Sequence, residues 1–220
     1  RVAYALGMPY YVFNYKDAFR EQVMARFAAA YQHGATPNPC LDCNRYLKFG
    51  LLETRARALG CDVLATGHYA RVEQLPDGRY TLKKAVDTTK DQSYVLYTMT
   101  QEQLAHTLFP LGGYSKPEAR KLAEDGGLVN AEKPDSQDIC FAPDGDYAAA
   151  IERYTGKKPQ PGNFVDADGN VLGQHKGIIH YTIGQHRGLG LGQNERAYVC
   201  KICPADNTVV LGPSEALFRR

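Results

Sequence analysis

The chain has 220 residues, of which 44% are hydrophobic and 23% charged, and its net charge is +2 at pH 7. That balance fits an ordinary folded protein of two modest domains rather than a disordered or membrane-embedded one. No apolar run approaches the roughly 18 residues of a membrane-spanning helix, so no membrane partner is expected, and so small a surplus of charge does not by itself mark a nucleic-acid binder.

Arg1-Val2-Ala3-Tyr4 is neither an initiator methionine nor the start of a signal peptide, so the chain reads as cut from something longer. Pro9 to Tyr15, rich in tyrosine, valine and phenylalanine, predicts a strand. From Asp17 to Tyr31 the residues Phe19, Val23, Phe27 and Tyr31 recur at four-residue steps, the pattern of an amphipathic helix, which Gly34 stops. After the loop Thr36-Pro37-Asn38-Pro39 a second helix is expected from near Asn44 to Leu59, with Leu47 and Leu51 inward and Gly60 at its end.

Val63-Leu64-Ala65-Thr66 follows as a short buried strand. Helices alternating with apolar strands imply a parallel α/β sheet, whose ligands sit beyond the carboxyl ends of the strands, where Gly67-His68-Tyr69 falls. Arg71 to Lys84 predicts a hairpin around Pro76-Asp77-Gly78, and Ser115-Lys116-Pro117-Glu118 a capping-box helix ending near Gly126-Gly127. Beyond Tyr154 short alternating segments such as Asn163-Phe164-Val165 and Gly177 to Ile183 replace helical periodicity, so a second, β-rich domain is expected.

Six cysteines include two C-x-x-C pairs, Cys40/Cys43 and Cys200/Cys203. This usage suits reactive or metal-binding thiols in a reducing compartment better than a disulfide scaffold, and a cytoplasmic protein is expected. In Thr36-Pro37-Asn38-Pro39-Cys40-Leu41-Asp42-Cys43-Asn44 two prolines fix the backbone before a thiol pair at a helix start, where the helix dipole favours the nucleophilic thiolate. Lys48, one turn on, adds positive potential. The alternative is that Cys43 packs under the helix and Cys40 is an idle surface thiol.

Lys133-Pro134-Asp135-Ser136-Gln137-Asp138-Ile139-Cys140-Phe141 breaks from a polar stretch to one cysteine between two apolar residues. Sulfur relay needs two thiols, one carrying a persulfide and one resolving it, and Cys140 is the candidate partner for Cys43; a core role is the alternative. At Gly67 a ligand can approach the backbone, with His68 and Arg71 suited to phosphate, although a tight turn with a solvated histidine reads equally well. Lys90-Asp91-Gln92-Ser93-Tyr94 mixes groups useful on RNA that are also ordinary in loops. Gly184 to Gly192 lacks the strand-to-helix setting of a dinucleotide loop, so its glycines are expected to shape a turn presenting Arg187. A zinc site from Cys200, Cys203, Cys40 and Cys43 is a weaker reading, because more than a hundred residues separate the pairs.

Taken in order, TPNPCLDCN at 36–44, ATGHYAR at 65–71, KDQSYVLY at 90–97, DSQDICF at 135–141 and YTIGQHRGLG at 181–190 resemble the bacterial tRNA-specific 2-thiouridylases. The resemblance implies a Rossmann-like α/β domain of the adenine-nucleotide α-hydrolase (PP-loop) type over 1–143, truncated at its N-terminus. A small central domain over 144–220, β-rich after about 160, then follows. It implies ATP-dependent 2-thiolation of the wobble uridine (U34), with Cys140 carrying the persulfide and Cys43 as nucleophile and resolving thiol.

The same likeness sets Asn38, Pro39 and Cys40 beside the target base, Gly67 at ATP (with Mg2+), and His68, Lys90, Asp91 and Gln92 against tRNA. A sulfur-relay or cysteine-desulfurase protein is the implied donor, and a monomer is expected. Three departures stand out. The family's pyrophosphate loop and C-terminal β-barrel have no counterpart in this sequence, so the chain alone is expected to be inactive. Cys40 stands where some members carry aspartate, which opens an alternative in which Cys40, Cys43 and Cys140 hold a [4Fe-4S] cluster. His186 stands where arginine is more usual. A tRNA-binding or zinc-binding piece without chemistry is the remaining alternative; otherwise no metal site is expected.

Overall fold

The structure, a computed structural model, describes residues 1–133, 138–191 and 197–218; Asp135, Ser136 and Gln137 of the fourth motif and Gly192 of the last glycine-rich run lie outside them. It divides into two compact units, Arg1–Phe19 with Cys40–Ser136, and Arg20–Pro39 with Gln137–Arg220.

In the first unit β1 (Leu64–Ala65), β2 (Ala70–Gln74), β3 (Tyr80–Lys84) and β4 (Thr107–Leu108) form two small sheets. β1 and β4 pair in parallel, Leu64 opposite Thr107 and Ala65 opposite Leu108, which is the parallel element expected of an α/β fold. The strand at 63–66 is there but not buried: Val63 is 45% exposed and the ladder holds only two residue pairs. β2 and β3 form the expected hairpin, closed by Leu75 N–H on Arg79 O at 2.7 Å and by Asp77 Oδ1, which accepts from Arg79 N–H.

Phe49, Ala70, Val95, Leu96 and Phe109 make the core of this unit. Gly112 is required there, because a Cβ at this position would stand 1.6 Å from the carbonyl oxygen of Ala70 at the start of β2. Both bonds of the capping box form at Ser115 and Glu118, opening the helix Lys116–Asp125. A second box, Thr100 with Gln103, opens Gln101–Ala105.

Two further expectations fail in this unit. Residues 9–15 are not a strand: no described strand pairs with them, and Tyr10, Tyr11 and Val12 are 77%, 62% and 78% exposed. An alternating aromatic segment becomes a strand only where a neighbour satisfies its backbone. The second helix opens at Pro39 rather than near Asn44 and runs through Pro39–Asp42, Cys43–Leu52 and Glu53–Ala58, with wider π-type pairing in the middle stretch. That pairing moves the buried stripe off the four-residue step, so Asn44, Leu47, Phe49 and Glu53 are buried while Leu51 is exposed.

The second unit holds β5 (Gly162–Val165), β6 (Val171–His175), β7 (Tyr198–Cys203) and β8 (Thr208–Gly212) in the order β6-β5-β8-β7, with β5 and β8 parallel and the other neighbours antiparallel. Phe164, Tyr181, Leu189, Val199, Ile202, Val209 and Leu211 fill one core. A second core joins Phe27, Ala28 and Tyr31 of the helical stretch Arg20–Gln32 to Ala148 and Ile151 of the helix Tyr147–Thr155. Val23, Phe27 and Tyr31 are all buried, as their spacing predicts.

Gly162 must lack a side chain, since a Cβ would fall 2.1 Å from Asn207 O. The expected strand over Gly177 to Ile183 is instead a 3-10 turn at Ile178–His180 that inserts Ile179 into the second core. Gly177, at φ +124°, breaks the extended run.

Candidate active site

The helix opening at Pro39 changes the electrostatics expected of the thiol pair. Pro39 occupies the first helical position, where its missing N–H costs nothing. Cys40 therefore sits in the first turn, exposed, whereas Cys43 is half-buried and one turn deeper. The dipole acts mainly within the first turn, so it favours a thiolate at Cys40 more than at Cys43. Asn38 is exposed and Pro39 buried.

Asn44, next to Cys43, is 2% exposed. Its Nδ2 donates to Val95 O at 3.1 Å, while its Oδ1 is buried and has no hydrogen-bond partner among the described residues.

Lys48 of the same helix donates from Nζ to His68 Nε2 at 3.3 Å. An ammonium cannot accept, so the imidazole proton lies on Nδ1 and is donated to Thr66 Oγ1 at 2.8 Å. His68 is buried, and that burial, helped by the Lys48 charge, lowers its pKa to about 4. His68 is thus neither a solvated turn residue nor a phosphate-binding cation near neutral pH. It is a neutral link that ties the helix carrying Cys43 to the end of β1.

Gly67 lies just past β1, between Thr66 and His68. Among the described residues a Cβ there would meet only Leu111 Cδ1, at 3.8 Å, an ordinary contact, so the fold described does not exclude a side chain. The backbone at this strand end is therefore open, as a ligand bound beyond the carboxyl end of a strand requires.

Gln92 bonds Tyr69 twice, accepting from Tyr69 N–H on Oε1 at 3.0 Å and donating its own N–H to Tyr69 O at 2.8 Å. Asp91 accepts from Ala85 N–H at 2.8 Å and from the Ser93 hydroxyl at 2.7 Å. Desolvation opposes its ionisation, but the Ser93 and Ala85 donors outweigh it and hold the carboxyl below its usual range. Gln92 and Asp91 therefore frame the loop that follows Lys90.

Lys90 lines a cleft of about 580 Å³ with Asp87, Thr89, Lys116, Arg120 and Lys121. The hydroxyl of Thr89 and then the N–H of Lys116 hold the Asp87 carboxyl below its ordinary range, so this carboxylate occupies the start of the helix Lys116–Asp125. Lys116, Arg120 and Lys121 lie at helical spacing on one element, a basic cluster whose only sequence signal is that spacing.

In the second unit Ile139 O accepts from Ala142 N–H at 3.1 Å, closing a turn with Cys140 and Phe141 at its centre. Cys140 is exposed, while Phe141 meets Phe27 edge-on at 5.2 Å and Ala142 is fully buried. The apolar neighbours are the packed residues and the sulfur faces solvent, contrary to a core role for Cys140. Cys43 belongs to the first unit and Cys140 to the second.

Cys200 sits at a bulge of β7, with its thiol 3.4 Å from Tyr198 O. Among the described residues no three His, Cys, Asp or Glu side chains are grouped to hold a metal ion. Among the described residues no helix is long and apolar enough to cross a membrane.

Residues 1–144 match the family model described as "tRNA methyl transferase HUP domain", and residues 149–213 match "tRNA methyl transferase PRC-barrel domain". Proteins named tRNA-specific 2-thiouridylase MnmA are similar along the chain. That of Lachnoclostridium phytofermentans is 54% identical over 218 residues, covering 99% of this chain and 61% of its own length. Those of Chloroflexus aurantiacus and Clostridioides difficile are 51% and 48% identical, each covering 100% of this chain and 61% of the relative. The chain thus spans about three-fifths of the length of the curated relatives it matches.

Proposed function

The chain belongs to the tRNA methyl transferase family of HUP and PRC-barrel domains, and on that premise we propose that it carries the sulfur-transfer machinery of an ATP-dependent tRNA-uridine 2-sulfurtransferase acting on the wobble uridine. The family description speaks of methyl transfer and the relatives' names of thiolation. What favours sulfur is the exposed thiol of Cys140 on a turn whose neighbours are packed.

The uridine C2 oxygen would be activated by attack on the α-phosphorus of ATP, with the α–β phosphoanhydride bond breaking and pyrophosphate departing; Gly67, with its open backbone past β1, is the residue assigned to the nucleotide. Cys140 carries the persulfide Cys–S–SH. Its terminal sulfur attacks C2, the C2–O bond breaks and AMP departs. Cys43 then attacks the Sγ of Cys140 and breaks the sulfur–sulfur bond, so the sulfane sulfur keeps the electron pair and becomes the thiocarbonyl of 2-thiouridine. The two thiols are oxidised together to a disulfide, which an external thiol reductant must reopen.

Asn38, Pro39 and Cys40 are assigned to the target base, and His68, Lys90, Asp91 and Gln92 to the tRNA side. The burial and neutrality of His68 make its contribution one of holding Thr66 and Lys48 in place rather than of binding phosphate. A persulfide donor of the cysteine-desulfurase or sulfur-relay type, a cytoplasmic location and a monomeric state complete the reading. Substitution of Cys140 by serine in the native gene product, assayed for 2-thiouridine in tRNA, tests it: loss of product is expected, and wild-type product would contradict it.

A further inference from the structure

We propose that Tyr147 is a positioning residue for Cys140, acting through a hydrogen bond to Asp138; this rests on the role given to Cys140 above. The segment carrying Cys140 is anchored at both ends. On its near side the Tyr147 hydroxyl donates to Asp138 Oδ1 at 2.5 Å, and the same oxygen accepts the N–H of Ile139 at 3.0 Å. On its far side Phe141 packs edge-on to Phe27, whose ring is also 6.0 Å from that of Tyr147. One tyrosine therefore serves both anchors, its ring in the aromatic cluster and its hydroxyl on the carboxylate.

Tyr147 itself is well fixed. It is the first residue of the helix Tyr147–Thr155, which Asp146 caps by accepting from Ala149 N–H at 2.9 Å. Its ring also lies 6.4 Å from that of Tyr31. Donation to Asp138 pushes the hydroxyl's pKa up to about 12, so it stays a donor throughout the working pH range. Gly145 leaves room for the carboxylate: a Cβ there would come within 3.1 Å of Asp138 Oδ2.

Between the anchors the Ile139–Ala142 turn presents Cys140 to solvent. A sulfur that must meet an electrophilic carbon gains rate from a fixed direction, and losing one anchor spreads it over unproductive directions without altering substrate affinity.

The test uses the native gene product with ATP, tRNA and a cysteine desulfurase with cysteine as persulfide source. Tyr147→Phe keeps the ring and removes only the hydroxyl. It should lower kcat about tenfold while the KM for tRNA and for ATP stays within about twofold. Asp138→Asn keeps an oxygen acceptor and should stay within about threefold of wild type, whereas Asp138→Leu should match Tyr147→Phe, and the double variant Tyr147→Phe with Asp138→Leu should lose no more than either alone. A merely structural role would move the melting midpoint in step with activity.

Wild-type kcat in Tyr147→Phe, a loss that appears in KM, or additivity in the double variant would overturn the proposal. Cys140→Ser is run alongside. If it still thiolates tRNA, the function proposed above falls and takes this inference with it; if it is inactive while Tyr147→Phe is unaffected, only the inference falls.

Discussion

The Nζ of Lys48 and the Nε2 of His68 lie 3.3 Å apart, and the other imidazole nitrogen meets Thr66 Oγ1 at 2.8 Å. A buried neutral histidine thus joins the helix that bears Cys43 to the strand end that bears Gly67. This link has a pH signature. The folded pKa of His68, about 4, lies below the unfolded value of 6.5, so the unfolded chain takes up a proton that the folded one refuses. Stability is retained above the unfolded pKa and is lost as pH falls from 6.5 towards 4. Urea unfolding of wild type should lose about 2 kcal/mol more between pH 7 and pH 5 than His68→Gln does. Equal losses would show that the imidazole is not held neutral.

Glycines 67 and 112 should separate ligand from fold. Gly112→Ala forces a methyl to within 1.6 Å of Ala70 O and should destabilise by at least about 3 kcal/mol. Gly67→Ala meets only Leu111, at 3.8 Å, and should leave stability within about 0.5 kcal/mol of wild type. Its effect should appear instead as a raised KM for ATP. Measured melting curves and ATP titrations of the two variants check this, and a folding defect in Gly67→Ala would remove the argument for a nucleotide beside it.

The cleft lined by Lys90, Lys116, Arg120 and Lys121 should contribute charge rather than sequence recognition. Arg120→Ala and Lys90→Ala should each weaken tRNA binding similarly for different tRNAs and reduce the salt slope of the binding constant by about 1 for each phosphate left without its cation. Unchanged slopes, measured by binding titrations at several salt concentrations, would place tRNA elsewhere.

The core of the second unit gives a stability benchmark. Phe164 is fully buried in the sheet core, and Phe164→Ala should cost about 3–5 kcal/mol in thermal or chemical unfolding. A cost below about 1 kcal/mol would contradict the packing described.

Much of the local structure was legible because it depends on near neighbours. The four-residue spacing of Val23, Phe27 and Tyr31, the turn at Pro76-Asp77-Gly78 and the Ser115/Glu118 box each carry their reason within a few residues, and each formed. What failed depended on distant partners. Residues 9–15 have strand composition but no pairing strand among those described, and Leu51 lost its inward place when the helix widened. At the candidate site, the motifs single out Cys43, Gly67, His68 and Cys140. They did not tell a solvated His68 from one buried against Lys48, twenty residues away. Nor does the sequence around Asp138 announce Tyr147 as its donor, nine residues on, because an aspartate and a tyrosine at that spacing meet only if the intervening chain turns.

The most direct test of the proposal that Cys140 delivers sulfur and Cys43 resolves it is a non-reducing peptide map of the native gene product after a single turnover, with 2-thiouridine in the tRNA quantified in the same sample. A disulfide linking the Cys43 and Cys140 peptides, in amounts matching the 2-thiouridine formed, is the expected result. Stoichiometric 2-thiouridine with both cysteines still reduced would contradict the account.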